Sequence, residues 1–172
     1  MSVRLALGTL AALCLPTLGW LGATSAPALA QPAYGSYVGV GGSLGVESEN
    51  DGQLNLAGVV AGRYDLLKSP ISFRAQAFFD RDSVAIVPTV SYDFPVSWQL
   101  EPYVGAGLAL ATEGSVVGDG TSFVIQPGVD YMIPNSKLVV FGNAVIAFDA
   151  YSGGEKDGDA AVSLQTGVGW RF

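Results

Sequence analysis

Six charged residues lie inside otherwise apolar or small-residue segments, where each side chain would need a partner if it turned toward an interior. They are three bases and three acids: Arg63, Arg74, Arg171, Asp93, Glu101 and Asp130. Because the two signs balance, the cost of burying each charge can be offset by pairing it with an opposite one. The chemistry predicted for this set is mutual neutralisation inside a lumen.

Residues that usually activate a nucleophile are scarce in this chain. There is no His, and the one cysteine, Cys14, lies in an apolar segment near the start. Ser152 and Glu155 could form a hydroxyl–carboxylate pair, but their Gly-rich acidic surroundings are typical of a solvated loop. Nucleophilic catalysis would lack its usual base. The sequence therefore predicts no catalytic residue, no cofactor and no enzyme activity.

Residues 1–30 have the layout of a secretory signal peptide. An apolar run follows Arg4, Pro16 interrupts it, and Ala28-Leu29-Ala30 provides a small-residue cleavage site. We expect cleavage after this site and a mature domain over residues 31–172. An uncleaved anchor is the alternative, since the apolar run is about long enough to span a bilayer.

Alternation of apolar and polar residues with period two repeats through the rest of the chain, which is typical of amphipathic strands. Eight predicted strands span residues 34–46, 53–65, 71–80, 83–94, 97–111, 121–133, 137–149 and 162–172. Each has about the ten residues that a tilted strand needs to cross an outer membrane. We predict an all-β fold, an eight-stranded antiparallel up-and-down transmembrane β-barrel preceded by a cleaved signal peptide.

The connections between these strands differ at the two ends of the predicted barrel. The turns after strands two, four and six are short, and each contains a Pro. The connections after strands one, five and seven are longer, Gly-rich and acidic. In outer-membrane barrels, long loops lie outside the cell and short turns lie in the periplasm. We call the two ends the loop end and the turn end.

A soluble barrel that encloses a ligand would have the same periodicity, with its apolar face inward. The balanced interior charges favour the membrane barrel, and no Gly-x-Trp of the lipocalin type occurs in the sequence. Aromatic residues also gather at the turn end of the apolar faces, as in a membrane-interface girdle. They are Tyr34, Tyr64, Phe73, Tyr92, Phe94, Trp98, Tyr131, Trp170 and Phe172.

Three prolines lie inside predicted strands, where each lacks an N–H for the hydrogen-bond ladder. They are Pro88, Pro102 and Pro127, all on the apolar face and nearer the turn end. Their shared height predicts a local bulge or bend near that rim.

The sequence resembles the small outer-membrane β-barrel family, with its OmpA-like and porin-like eight-stranded domains. Gln165, Gly167, Trp170 and Phe172 fill the C-terminal assembly pattern of that family, and residues 101–107 and 127–131 resemble its recurring strand segments. The resemblance implies the outer membrane of a Gram-negative-type bacterium. It also implies insertion by the outer-membrane assembly machinery, which would read the last strand.

The function expected for such a barrel is structural or surface-interacting. Four aromatic residues on the inner faces, Tyr37, Phe78, Tyr103 and Phe141, should block the lumen. A narrow pore, or a barrel that binds or transports a small ligand, is the alternative, since the inward glycines of the first strand could leave a water path. The barrel is expected to contact the lipid bilayer and to be a monomer.

The predicted loop end carries many acidic residues. They are Glu47, Glu49, Asp51, Asp80, Asp82, Glu113, Asp119, Asp149, Glu155, Asp157 and Asp159, with Arg81 and Lys156 as the only bases. Such a rim could bind divalent cations, and a simply solvated rim is the alternative, because no proper calcium-loop spacing occurs. The net charge of −7 argues against nucleic-acid binding.

Overall fold

The computed structural model describes residues 35–46, 54–66, 69–151 and 159–172, and these form eight β-strands. The strands are β1 (Tyr37–Val46), β2 (Leu54–Asp65), β3 (Ile71–Phe79), β4 (Val84–Asp93), β5 (Leu100–Ala111), β6 (Thr121–Met132), β7 (Leu138–Phe148) and β8 (Ala161–Arg171). Each strand pairs antiparallel with its sequence neighbours, and β1 pairs with β8 to close the barrel. The predicted eight-stranded antiparallel barrel is confirmed.

The predicted signal peptide and Tyr34 lie outside the described residues, and cleavage after Ala30 stays a prediction. Two strands, β1 and β5, begin three residues later than predicted, at Tyr37 and Leu100. The Ser97 hydroxyl accepts the backbone N–H groups of Gln99 and Leu100, at 3.2 and 3.0 Å. These local hydrogen bonds hold the residues before Leu100 in a turn, so β5 begins only after them.

The two faces of the strands have the polarity of a membrane protein. Along β4, exposed and buried residues alternate without exception. Outward side chains are large and apolar, with Val40 and Leu56 both 65% exposed, whereas inward Asp130 is fully buried. A soluble barrel would have the opposite arrangement, so that alternative is wrong. An apolar outer band around a polar interior matches a lipid surrounding.

The strand prolines interrupt hydrogen bonding on one side without changing the register. Pro88 of β4 pairs with Ala75 of β3, and Pro127 of β6 pairs with Val104 of β5. On the other side of these strands, where β4 pairs with β5 and β6 pairs with β7, the pairing has a short gap near the proline. Beyond the gap it continues in the same register. The bulge is therefore wrong, and the other form of the prediction, a local bend, stays a prediction. Because a strand residue directs its N–H to one neighbour only, one missing donor does not require an extra residue.

The register accumulates a stagger of about ten residues around the closed barrel, which keeps the interior narrow enough for side chains to fill. The inward side chains form three layers. An ionic layer lies toward the turn end and consists of Arg63, Arg74, Asp93, Glu101 and Asp130 with Tyr37, Ser72, Ser91 and Tyr103. A neutral polar layer follows, with Ser43, Gln76, Thr89, Gln126, Asn143 and Gln165. An apolar layer that includes Val59, Phe78, Val87, Val124 and Val145 lies toward the loop end.

Candidate functional site

Arg63 forms ion pairs with three carboxylates in the ionic layer. Its Nη2 lies 2.7 Å from an oxygen of Glu101 and 3.0 Å from one of Asp93, and its Nη1 lies 3.2 Å from Asp130. Its Nε donates to the hydroxyl of Ser72 at 3.1 Å. A buried guanidinium satisfied by several acceptors is the arrangement in which arginine best tolerates burial.

Arg74 forms the second set of ion pairs. Its Nη2 lies 2.9 Å from Asp130 and 3.1 Å from Asp93, and its Nε donates to Ser91 at 2.9 Å. The guanidinium carbon lies 3.3 Å from the centroid of the Tyr103 ring, so the cation also stacks on an aromatic face. This aromatic residue, predicted only to block the lumen, therefore holds one of the charges in place.

The carboxylates receive further hydrogen bonds from hydroxyl groups. Asp130 accepts from the Tyr37 hydroxyl at 3.0 Å. Asp93 accepts from the Ser91 hydroxyl at 2.9 Å and also from that of Ser72. The network joins side chains from β1 to β6, so it cross-links six of the eight strands through the lumen.

The register explains why these charges meet. Arg63 is directly opposite Arg74 across β2 and β3, and Glu101 is directly opposite Asp130 across β5 and β6. Each pair of like charges on neighbouring strands would be unfavourable alone. The two pairs face each other across the lumen, and Asp93 on β4 lies between them. Arg63 therefore reaches Glu101 and Asp130 across the lumen, and Arg74 reaches Asp130 in the same way. The ion pair between Arg74 and Asp93 is different, because it joins the adjacent strands β3 and β4.

Arg171, the sixth charge predicted for this cluster, is at the same end of the barrel. It is partly exposed, and its Nη1 contacts the sulfur of Met132. The ion pairs described above involve the other five residues.

The neutral polar layer was not singled out from the sequence. Thr89 donates to Gln126 at 2.7 Å, which donates to Asn143 at 3.2 Å. Gln165 donates to Ser163 at 2.7 Å and to Ser43 at 3.2 Å. The inward amide positions are visible in the sequence once the strand faces are assigned, and they could have indicated this layer.

The four residues of the predicted assembly pattern divide between the two faces of β8. Gln165 is buried in the neutral polar layer, and Gly167 faces inward, where an added Cβ would lie 2.4 Å from Cζ of Phe141. Trp170 and Phe172 are exposed on the outer face, and the Phe172 N–H donates to the Ser36 carbonyl at 3.1 Å. Each of these residues therefore has a position in the folded barrel.

The outer face carries aromatic residues at both rims. The exposed set at the turn end comprises Tyr64, Phe73, Tyr92, Phe94, Trp98, Tyr131, Trp170 and Phe172, and the loop end has Phe79, Phe123 and Phe148. Aromatic rings at two levels of an apolar band are the interface girdles of a barrel in a bilayer.

The acidic rim is only partly within the described residues. Glu47, Glu49, Asp51, Glu155, Lys156 and Asp157 lie outside them. Asp80, Asp82, Glu113, Asp149 and Asp159 are exposed. Among the residues that the structure describes, no group of three acidic, His or Cys side chains could hold a metal ion. Cation binding at this rim stays a prediction. The same part of the chain contains no helix that is long and apolar enough to cross a membrane.

A closed antiparallel barrel with an apolar exterior and a charged interior defines a β-barrel of the outer-membrane type. The fold is similar to that of Neisserial surface protein A, NspA, at 16% identity and a TM-score of 0.55 over 81% of this chain and 98% of that one. It is similar to the N-terminal β-barrel domain of Pseudomonas aeruginosa OprF, at 18% identity and a TM-score of 0.53 over 79% and 97%. A de novo designed transmembrane β-barrel matches at 14% identity and a TM-score of 0.54 over 80% and 96%. No family model and no curated protein sequence matches the chain.

The chain thus has the fold of the small outer-membrane β-barrels, and that fold is shared at low sequence identity with proteins of different origin. What the similarity establishes is the architecture. Function depends on the lumen and the surfaces of this barrel, because one fold can serve many functions.

Proposed function

We propose that the protein is an integral outer-membrane β-barrel with a closed lumen and a structural or surface-interacting role. The observation that carries this proposal is the continuous filling of the lumen by three layers of side chains. The ionic layer alone places five charged side chains of low exposure across the barrel. Since the sequence contains no His and its one Cys is at position 14, the proposed role is not enzymatic.

Planar-bilayer conductance of the refolded protein tests this proposal. A filled lumen predicts a baseline without steady openings at any moderate voltage. Channels of uniform size that appear in every preparation would contradict it. A gel comparison of boiled and unboiled samples should accompany the recording, because a folded membrane barrel migrates as a compact form that boiling removes.

A narrow water path is the second candidate function, and one observation favours it. In the neutral polar layer, Oε1 of Gln76, Nδ2 of Asn143 and Oε1 of Gln165 have no hydrogen-bond partner among the described residues. Buried polar atoms of this kind are usually bonded to ordered water. Osmotic shrinkage of vesicles containing the protein separates the candidates, since only a continuous path would speed water exit.

We further propose that the outer-membrane assembly machinery reads the last strand and that the folded barrel is a monomer. Exposure of Trp170 and Phe172 on the outer face of β8 supports the first part, because the closed barrel itself does not cover either residue. Divalent cations at the loop end remain a further proposal. Calcium titration calorimetry on the refolded protein should show no saturable heat if the rim is only solvated.

A further inference from the structure

The connection between β5 and β6 turns back into the barrel. Its residues Ser115, Val116, Val117 and Gly118 are all buried, with Val116 5% and Val117 1% exposed. Loop residues usually lie on the surface, and two consecutive buried valines in a loop are an exception to that rule. Both valines belong to the same apolar cluster as the inward residues of the strands. We call residues 115–118 the plug.

The barrel wall around the plug is lined by unusually small residues. On six of the eight strands, the inward residue at this level is Gly45, Ala57, Ala85, Ala109, Ala147 or Ala161. Phe78 and Val124 complete the ring on β3 and β6. Small residues at this level leave room in the interior that the strands themselves do not fill.

The plug fills that room with close contacts. A Cβ added to Gly45 would lie 3.3 Å from Cβ of Val116, so the absence of a side chain on β1 makes space for the loop valine. Gly118 has a φ of 111° and an added Cβ there would lie 2.4 Å from the carbonyl oxygen of Ala150. This position therefore requires glycine, both for its backbone conformation and for the close approach to Ala150.

Three hydrogen bonds hold the plug in place at the loop end of the barrel. The Asp119 N–H donates to the Ala150 carbonyl at 2.8 Å, and the Gly114 N–H donates to the Asp119 carboxylate at 2.7 Å. The Ser83 hydroxyl donates to the Gly114 carbonyl at 3.3 Å. The loop is thus attached to the β3–β4 turn on one side and to the end of β7 on the other.

We propose that the loop end of the lumen is an apolar binding socket for branched aliphatic side chains, and that the chain occupies it with its own Val116 and Val117. The small-residue ring is the socket and the plug is its ligand. This closes the loop end independently of the ionic layer, so the lumen has two closures in series. The proposal concerns the loop end alone and does not depend on the role proposed above.

Cysteine accessibility tests the proposal in a Cys14→Ser background. Ala147→Cys places a reporter in the wall of the socket, and a water-soluble methanethiosulfonate reagent measures its exposure in the refolded full chain. With the native loop, labelling should be slow. Replacing both plug valines with glycine should raise the labelling rate at least about tenfold, because the socket then opens to water. Glu113→Ala, on the exposed part of the same loop, is the matched control and should leave the rate unchanged.

A second variant opens the socket without altering the plug sequence. Gly45→Val puts a side chain where Val116 now lies and should displace the loop, which should also raise the labelling rate of the reporter. Boil-dependent gel mobility checks that each variant is folded. The proposal is overturned if the reporter in the native background labels as fast as a cysteine at exposed Thr112, or if folded plug and Gly45 variants both label at the native rate.

Discussion

Arg63 and Arg74 lie side by side on neighbouring strands, and so do Glu101 and Asp130. Each residue of these pairs is next to a like charge and depends on opposite charges that reach it across the lumen. Removing one partner would therefore leave uncompensated charge in a buried site, which costs more than the intact pair contributes. The ionic layer should be the part of the barrel most sensitive to single substitutions.

Asp130→Asn should lower the free energy of unfolding by about 3–5 kcal/mol. Asparagine has nearly the same shape as aspartate but no charge, so both arginines lose a fully buried anionic partner. Urea unfolding in lipid vesicles, followed by tryptophan fluorescence, measures the change. Asp82→Asn, at an exposed position in the β3–β4 turn, is the control. Equal and small effects of the two substitutions would show that the ionic layer contributes little.

Arg74→Lys keeps the charge but removes the planar group that stacks on Tyr103 and contacts two carboxylates. We expect a loss of about 1–3 kcal/mol in unfolding free energy, since an ammonium cannot reproduce this geometry. The exposed Arg81→Lys is the matched control and should change nothing measurable. A variant of Arg74 with native stability would mean that charge alone suffices at this position.

At the scale of elements, the β1–β8 junction depends on the absence of side chains at particular positions. Gly167 faces Phe141 and the backbone of β1, and an added Cβ would lie 2.4 Å from both. Gly42, on the outer face of β1, has no atom within 4 Å of an added Cβ. Gly167→Ala should therefore destabilise the barrel by about 1–3 kcal/mol through overpacking, and Gly42→Ala should be nearly neutral. Urea midpoints of the two variants decide this, and similar midpoints would contradict it.

Deletion of Phe172 separates the two possible roles of the last aromatic residue. The residue is 73% exposed, so the folded barrel should lose little stability without it. If the assembly machinery reads this residue, the amount of folded protein in the outer membrane should fall severalfold while the urea midpoint of purified protein barely changes. Phe148→Ala, at another exposed outer aromatic, controls for loss of a girdle ring. Parallel losses in both measurements would leave Phe172 with a structural role only.

The strands, their faces and the orientation of the charges follow from the sequence because alternation with period two is a local property. Contacts across the barrel do not, since the register of eight strands decides which inward residues meet. The expected bulge at Pro88, Pro102 and Pro127 failed because a missing donor affects one ladder only. The plug was unpredictable for a different reason: Val116 and Val117 follow a turn-forming segment without alternation. Their burial depends on alanines and a glycine contributed by six different strands, most of them distant in the sequence.

For the molecule as a whole, the closed antiparallel sheet and the polarity of its two faces define a membrane-spanning barrel. Trp98 and Trp170 are exposed on the outer face at the turn end, where the girdle should place them near the lipid head groups. Their fluorescence therefore reports directly on how the barrel sits in a bilayer.

Fluorescence quenching by brominated lipids is the most direct test of this arrangement, in a Trp20→Phe background that leaves only these two tryptophans. Lipids brominated near the head group should quench the emission strongly, and those brominated near the chain end should quench it weakly. Emission that no brominated lipid quenches would contradict a barrel with its apolar face in the membrane.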